Sequence, residues 1–185
     1  MVEATEELVR VYLEQNGYLV TASKKVDVKT SRHAPRAEID IIAIKIKDDK
    51  TCNLPLRIAG EVKSFIIDQR GFKELDDKLR QEHGYVSRPE FGRYKWVNDK
   101  NYRKNILDSL EKEYNYPDFK FVLFCSGIQP KYEKEIRDYL KKEEIYIVKH
   151  RDIIKWLYNN ITDEYTDNQI MQLIRLIKQN ATIQF

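Results

Sequence analysis

The sequence predicts an α/β domain in which a mixed central β-sheet is flanked by helices. Three observations predict it. Helical and strand periodicities alternate along the chain. Three early strand patterns follow one another across short polar turns, which suggests antiparallel pairing. A later strand–helix–strand unit suggests parallel strands joined by a right-handed crossover. The 185 residues contain no repeat, low-complexity tract or Gly/Ser linker, so one domain spanning 1–185 is expected.

The first helix is expected over Val2 to Gln15, with Leu8, Val9, Tyr12 and Leu13 as its apolar stripe and Asn16-Gly17 as its stop. A strand follows from Tyr18 to Val28, then a polar loop from Thr30 to Arg36 containing Pro35. Glu38 to Ile46 (EIDIIAIKI) is apolar on both faces, which places it centrally in the sheet. Lys47 to Lys50 reads as a turn, and Leu56 to Phe65 (LRIAGEVKSF) as the next strand. A helix is expected from Phe72 to His83, a loop-rich region from Gly84 to Asp99, and a helix from Asn101 to Tyr114. Phe119 to Cys125 (FKFVLFC) reads as a buried strand. Beyond Pro130, a helix carries Tyr132, Ile136, Tyr139 and Leu140 on one face. Ile145 to Val148 is a short strand. Arg151 to Tyr158 and Asp167 to Gln179 close the chain, the latter with Ile170, Leu173, Ile174 and Ile177 at helical spacing; that stripe reads as core before it reads as an assembly face.

Composition excludes several classes. The N-terminus MVEATEELVR is acidic and amphipathic, unlike a signal peptide, and no apolar run approaches the roughly 20 residues that span a bilayer. A soluble, cytoplasmic protein is expected. Cys52 and Cys125 match no metal or redox spacing, and Cys125 reads as a buried thiol. His33, His83 and His150 have no partner at ligand spacing. The net charge of +3 is too weak to argue nucleic-acid binding by itself.

Chemistry concentrates in two strands. Side chains two apart in a strand share a face, so Arg57, Ala59, Glu61, Lys63 and Phe65 point to one side. A carboxylate and an ammonium thus stand together near the end of a buried strand. Asp40 lies among isoleucines, where an acid is costly unless it is paired or binds a metal. Adjacent strands would bring two carboxylates and a lysine together, a donor set that suits Mg²⁺ and leaves room for substrate phosphate. Glu-x-Lys occurs once in the chain and Asp-x-Lys four times, so context carries the weight: the apolar lead-in Ile58-Ala59-Gly60 and the upstream strand with its embedded aspartate. A cross-strand ion pair is the plain alternative. On the first helix, Glu6 lies at the rim of the apolar stripe beside Leu13 and Val2, and Glu7 points nearly the opposite way. Glu6 also suits a helix's first turn on electrostatic grounds alone.

These residues resemble the PD-(D/E)xK superfamily of restriction-endonuclease-like nucleases. Glu6-Glu7-Leu8-Val9 followed by Asn16-Gly17-Tyr18 resembles the opening helix of archaeal Holliday-junction resolvases and Mrr-like restriction enzymes. Ile39-Asp40-Ile41-Ile42-Ala43 resembles the strand with the metal-binding aspartate, and Gly60-Glu61-Val62-Lys63-Ser64 the strand with the second acid and the lysine. Ile39 stands where the family name has proline, and the stretch from Asp40 to Glu61 is long, which suggests a hairpin extension. The resemblance implies a restriction-endonuclease-like core (αβββαβ) with C-terminal helices. It implies that Asp40 and Glu61 bind Mg²⁺, with Mn²⁺ as a substitute, and that the Val62 carbonyl is a further ligand. Lys63 would orient the attacking water, and Glu6 would assist metal or water placement. The activity implied is DNA endonuclease cleavage leaving 5′-phosphate ends, in restriction, repair or recombination.

A candidate nucleic-acid-contacting insert spans 84–104. There Arg88, Arg93, Lys95, Arg103 and Lys104 interleave with Tyr85, Phe91, Tyr94, Trp96 and Tyr102. Cations neutralise phosphates and aromatic faces stack on bases, so Arg88, Arg93, Lys95, Trp96 and Arg103 are candidate contacts to DNA, or to RNA; packing of the aromatics on the sheet is the alternative. Arg36, just before the aspartate strand, could touch a phosphate near the metal. A catalytically silent nucleic-acid-binding module of the same fold is the rival reading. Cleavage of two strands usually needs two active sites, which makes a homodimer plausible.

Overall fold

The computed structural model describes residues 4–27, 36–46, 52–72, 74–75, 77–78, 81, 95–162 and 167–180. Helix α1 (Ala4–Gln15) leads into strand β1 (Tyr18–Asp27) through Gly17, whose φ of 81° closes the turn without a Cβ clash. Strands β2 (Arg36–Lys45) and β3 (Arg57–Ile67) follow. Residues 74, 75, 77, 78 and 81 are helical within the predicted 72–83 segment. A one-turn helix α2 (Lys95–Asn98) sits where the sequence predicts loop. Its buried Trp96 and Val97 drive it against the sheet, and the Asn98 amide donates to the Gly71 carbonyl at 2.8 Å. Such a turn is too short to show a period.

Helix α3 (Lys100–Tyr114) starts at Asp99, whose carboxylate accepts from the Tyr102 amide at 2.9 Å, and stops at Asn115 in the left-handed region. Then come β4 (Lys120–Ile128), α4 (Glu133–Lys142), β5 (Tyr146–Lys149), α5 (His150–Asn160) and α6 (Gln169–Asn180).

The five strands form one sheet in sequence order, β1-β2-β3-β4-β5. The first three pair antiparallel and β4 pairs β5 parallel, as the spacing of the elements predicts, and β3 pairs β4 in parallel as well. One face of the sheet packs Ile42, Ala59, Leu123 and Cys125 against Ile106 and Leu110 of α3 and Ile136 and Leu140 of α4. The other packs Ile41, Ile58, Val62 and Phe124 against α1 (Val9, Leu13), α5 (Ile153, Leu157) and α6 (Met171, Ile174). The Ile170–Ile177 stripe thus contributes Ile174 to the core, while Leu173 is exposed. Cys125 is a free, buried thiol whose pKa burial pushes up to about 11. Among the described residues no helix is long and apolar enough to cross a membrane. Pro35, the 47–50 turn, His33 and His83 lie outside the described residues.

Candidate active site

The site forms where two strands part. The β2–β3 ladder pairs Ile44 with Arg57 and runs to Ile41 opposite Gly60. One step further, the Val62 amide donates to Asp40 Oδ2 at 2.7 Å. A side-chain carboxylate has taken the place of a ladder carbonyl. Gly60 permits the close approach that precedes the fork: a Cβ there would meet Phe124 Cε2 at 3.0 Å and Ile41 Cβ at 3.3 Å. The β1–β2 ladder is also distorted at this level. It passes from Ala22–Ile41 to Lys24–Ile39, and the intervening Ser23 takes a φ of 50°. The apolar alternation of β2 changes phase at the same point. Ala37 and Ile39 join the cluster that holds Ile42, whereas Ile41 and Ala43 join the other. Asp40 therefore sits at a twist in the strand, half-buried.

Glu61 and Lys63 lie on the face that carries Ala59, the same side chain alternation that the sequence predicts. They form an ion pair, with 15% of the Glu61 side chain and 19% of the Lys63 side chain exposed. Burial raises the Glu61 carboxyl above its ordinary pKa, and the charge of Asp40 raises it further; Lys63 opposes both. Two acids and one ammonium group from neighbouring strands are thus brought together, and the electrostatic coupling of Asp40 to Glu61 places the acids in one field.

Two aromatic residues wall this field. Trp96 is buried and stacks on Phe121, with ring centroids 4.9 Å apart and planes at 13°. Its indole N–H approaches Glu61 closely enough to lower the carboxyl pKa but completes no hydrogen bond with a described residue. Tyr102, in the first turn of α3, has its hydroxyl pKa raised by burial and then by the charge of Glu61. The sequence groups both with the nucleic-acid insert. The structure instead makes Trp96 part of the core beneath the site, so it is not a platform open to a base. The signal that could have found this was Trp96-Val97, an apolar pair before the Asp99 cap.

Arg103 is likewise taken. Its guanidinium donates to the Trp96 and Val97 carbonyls at 3.0 Å each and to Glu143 Oε2 at 2.8 Å. With 12% of its side chain exposed, it fastens α2 to α3 and leaves little of its guanidinium open to the phosphate contact expected of it. Lys95 opens α2, Arg36 opens β2, and Arg88 and Arg93 lie outside the described residues.

Glu6 is half-buried in the first turn of α1. That helix packs on the sheet face opposite to Glu61 and Lys63. It runs back from the start of β1, which pairs with the end of β2 beside the start of β3. Its first turn therefore lies toward the Lys63 end of β3. Among the described residues no three acidic, histidine or cysteine side chains are grouped as a metal site, so Asp40 and Glu61 stand as a pair and Glu6 is not a third member.

Comparison with protein-family models, with curated proteins and with solved structures finds no match.

Proposed function

We propose that this chain is a divalent-metal-dependent DNA endonuclease of the PD-(D/E)xK type. One observation carries the reading: Asp40 of β2 caps the Val62 amide at the fork, beside the half-buried Glu61–Lys63 pair of β3. The order αβββ(α)β, with an antiparallel hairpin set against a parallel unit, agrees with a restriction-endonuclease-like core.

The donor set fits Mg²⁺ or Mn²⁺. Burial raises the Glu61 carboxyl and the charge of Asp40 adds to it, and a bound cation would relieve that second contribution. Mg²⁺ takes one or two carboxylates and keeps several waters, so a pair of acids suffices. Asp40, Glu61 and the Val62 carbonyl would hold the ion, without the help from Glu6 that the resemblance implies. Bound there, it would neutralise phosphate charge and make a coordinated water more acidic. Lys63, held in place by Glu61, orients the attacking water and stabilises negative charge as it develops on the phosphoryl oxygens. The water oxygen bonds to phosphorus as the P–O3′ bond breaks, leaving a 5′-phosphate and a 3′-hydroxyl. A symmetric dimer would supply the second active site for two-strand cleavage.

The test is incubation with supercoiled plasmid and single-stranded DNA in Mg²⁺, Mn²⁺ or EDTA, repeated with Asp40→Ala and Lys63→Ala. Nicking that needs metal and is lost in both variants is expected. Binding without cleavage would identify a silent nucleic-acid-binding module instead.

A further inference from the structure

The indole of Trp96 brings to the site a hydrogen-bond donor that the proposed chemistry leaves unused. The ring lies nearly flat on Phe121, whose β3 neighbour is Ala59. Glu61 follows Ala59 on the same face of β3 and stands opposite Leu123. One such rung is about 7 Å from the next, so a ring resting on the first reaches the carboxylate on the second. Other contacts hold the ring there. Arg103 donates to the Trp96 and Val97 carbonyls, and the Asn98 amide donates to the Gly71 carbonyl.

An indole nitrogen can only donate, and burying it without an acceptor costs about 1–3 kcal/mol. Trp96 Nε1 is buried and completes no hydrogen bond with a described residue. A phenylalanine would stack on Phe121 without that cost. The acceptor at hand is the Glu61 carboxylate. Lys63 donates to its Oε1, which leaves Oε2 for the indole.

We propose that Trp96 is a positioning residue for Glu61: Lys63 holds one oxygen of the carboxylate and the indole N–H steers the other, so that the acid meets a divalent cation in one orientation. The cation itself rests on the nuclease reading; the contact between ring and carboxylate does not. A carboxylate oxygen has two lone pairs, so it can accept from the indole and still face a cation. Trp96 acts only through Glu61, and groups that orient a metal-binding side chain in this way change metal affinity by about 10–100-fold.

Two measurements test this, neither of which depends on cleavage. The chain has two tryptophans, so Trp156→Phe leaves Trp96 as the single indole N–H signal in proton–nitrogen magnetic resonance. In EDTA, Glu61→Ala is expected to move that signal upfield and quicken its exchange with water. Glu61→Gln, which keeps an acceptor oxygen, should hold it nearer its original place. Mn²⁺ affinity, read by electron paramagnetic resonance of the free ion, is expected to fall about tenfold in Trp96→Phe, with circular dichroism showing the variant folded. An indole signal indifferent to Glu61→Ala, or Mn²⁺ bound as tightly by Trp96→Phe as by the unmodified protein, overturns the positioning role and leaves the nuclease reading intact. A chain that binds no Mn²⁺ at all sinks both.

Discussion

Among the described residues, Glu143 is buried and Glu61 half-buried beside cations, and the two carboxylates differ in what surrounds them. Glu143, which follows the last residue of α4, has 1% of its side chain exposed and meets two cations, Lys100 at 2.9 Å and Arg103 at 2.8 Å. Burial alone would raise its pKa, but those two partners outweigh it and hold the carboxyl below the ordinary range. Glu61 meets one ammonium group, which does not outweigh burial and the charge of Asp40, and its carboxyl is held above that range. Glu143 is a neutralised staple joining α2, α3 and α4. Glu61 is paired with a single described cation, Lys63, and lies in the field of a second acid, Asp40. The difference shows that equal proximity to a cation can leave a carboxyl on either side of its ordinary pKa, depending on how many cations reach it and on what else shares its field.

Breaking each centre should damage chiefly a different property. The largest effect is expected from Lys63→Ala, which should lower metal-dependent nicking by about 100-fold or more. It also leaves Glu61 beside Asp40 without its cation, so urea unfolding should show a loss too, smaller than that of Arg103→Ala because Glu61 is less deeply buried than Glu143. Arg103→Ala should act mainly on stability. It leaves Glu143 buried with only the mostly exposed Lys100 and removes the donor to two carbonyls, so unfolding in urea should show a loss of about 3 kcal/mol. A smaller effect is expected from Gly60→Ala, because the new methyl group meets the fully buried Phe124 and the adjacent strand at Ile41. A loss of about 1–2 kcal/mol by the same measurement checks it.

The pH dependence sharpens the contrast further, because the two shifts have opposite signs. A carboxyl raised in the folded state costs stability as pH climbs from its ordinary 4.5 through the folded value. A lowered one contributes stability above 4.5, and that contribution is lost as pH falls through the folded value. Glu61→Gln should therefore gain stability relative to the unmodified protein between pH 4 and pH 7, read as a rising difference in urea midpoint. Glu143→Gln should lose it over the same interval. The smallest change is expected at the Glu7–Arg10–Glu14 array on α1, which is partly exposed. Arg10→Ala should alter stability by about 0.5 kcal/mol, and less in high salt.

The element order was readable because β2 and β3 carry long apolar runs and the helices keep clean stripes. The pair of acids and the lysine were readable for the same reason: alternation fixes Glu61 and Lys63 to one side, and a lone aspartate among isoleucines must be paired. The twist at Asp40 was not readable. It depends on Ser23 across the hairpin adopting a positive φ, and serine carries no strong signal for that conformation. The structural roles of Trp96 and Arg103 were not readable, because aromatic and basic residues look alike whether they line a groove or lock a helix. Only the third-dimensional positions of Phe121 and Glu143 separate the two. Glu6 shows a further limit. Helical phase tells which way a side chain leans, but not which face of the sheet the helix covers.

The Asp40–Val62 contact also makes the seam between β2 and β3 a sensor. The carboxylate that would serve a cation is the acceptor that currently satisfies a main-chain amide. Drawing that oxygen away would strip the amide of its shield, while tightening the fork would protect it. Solvent deuterium uptake at the single amide of Val62 should then report occupancy of the seam directly, in a protein that need not turn over any substrate.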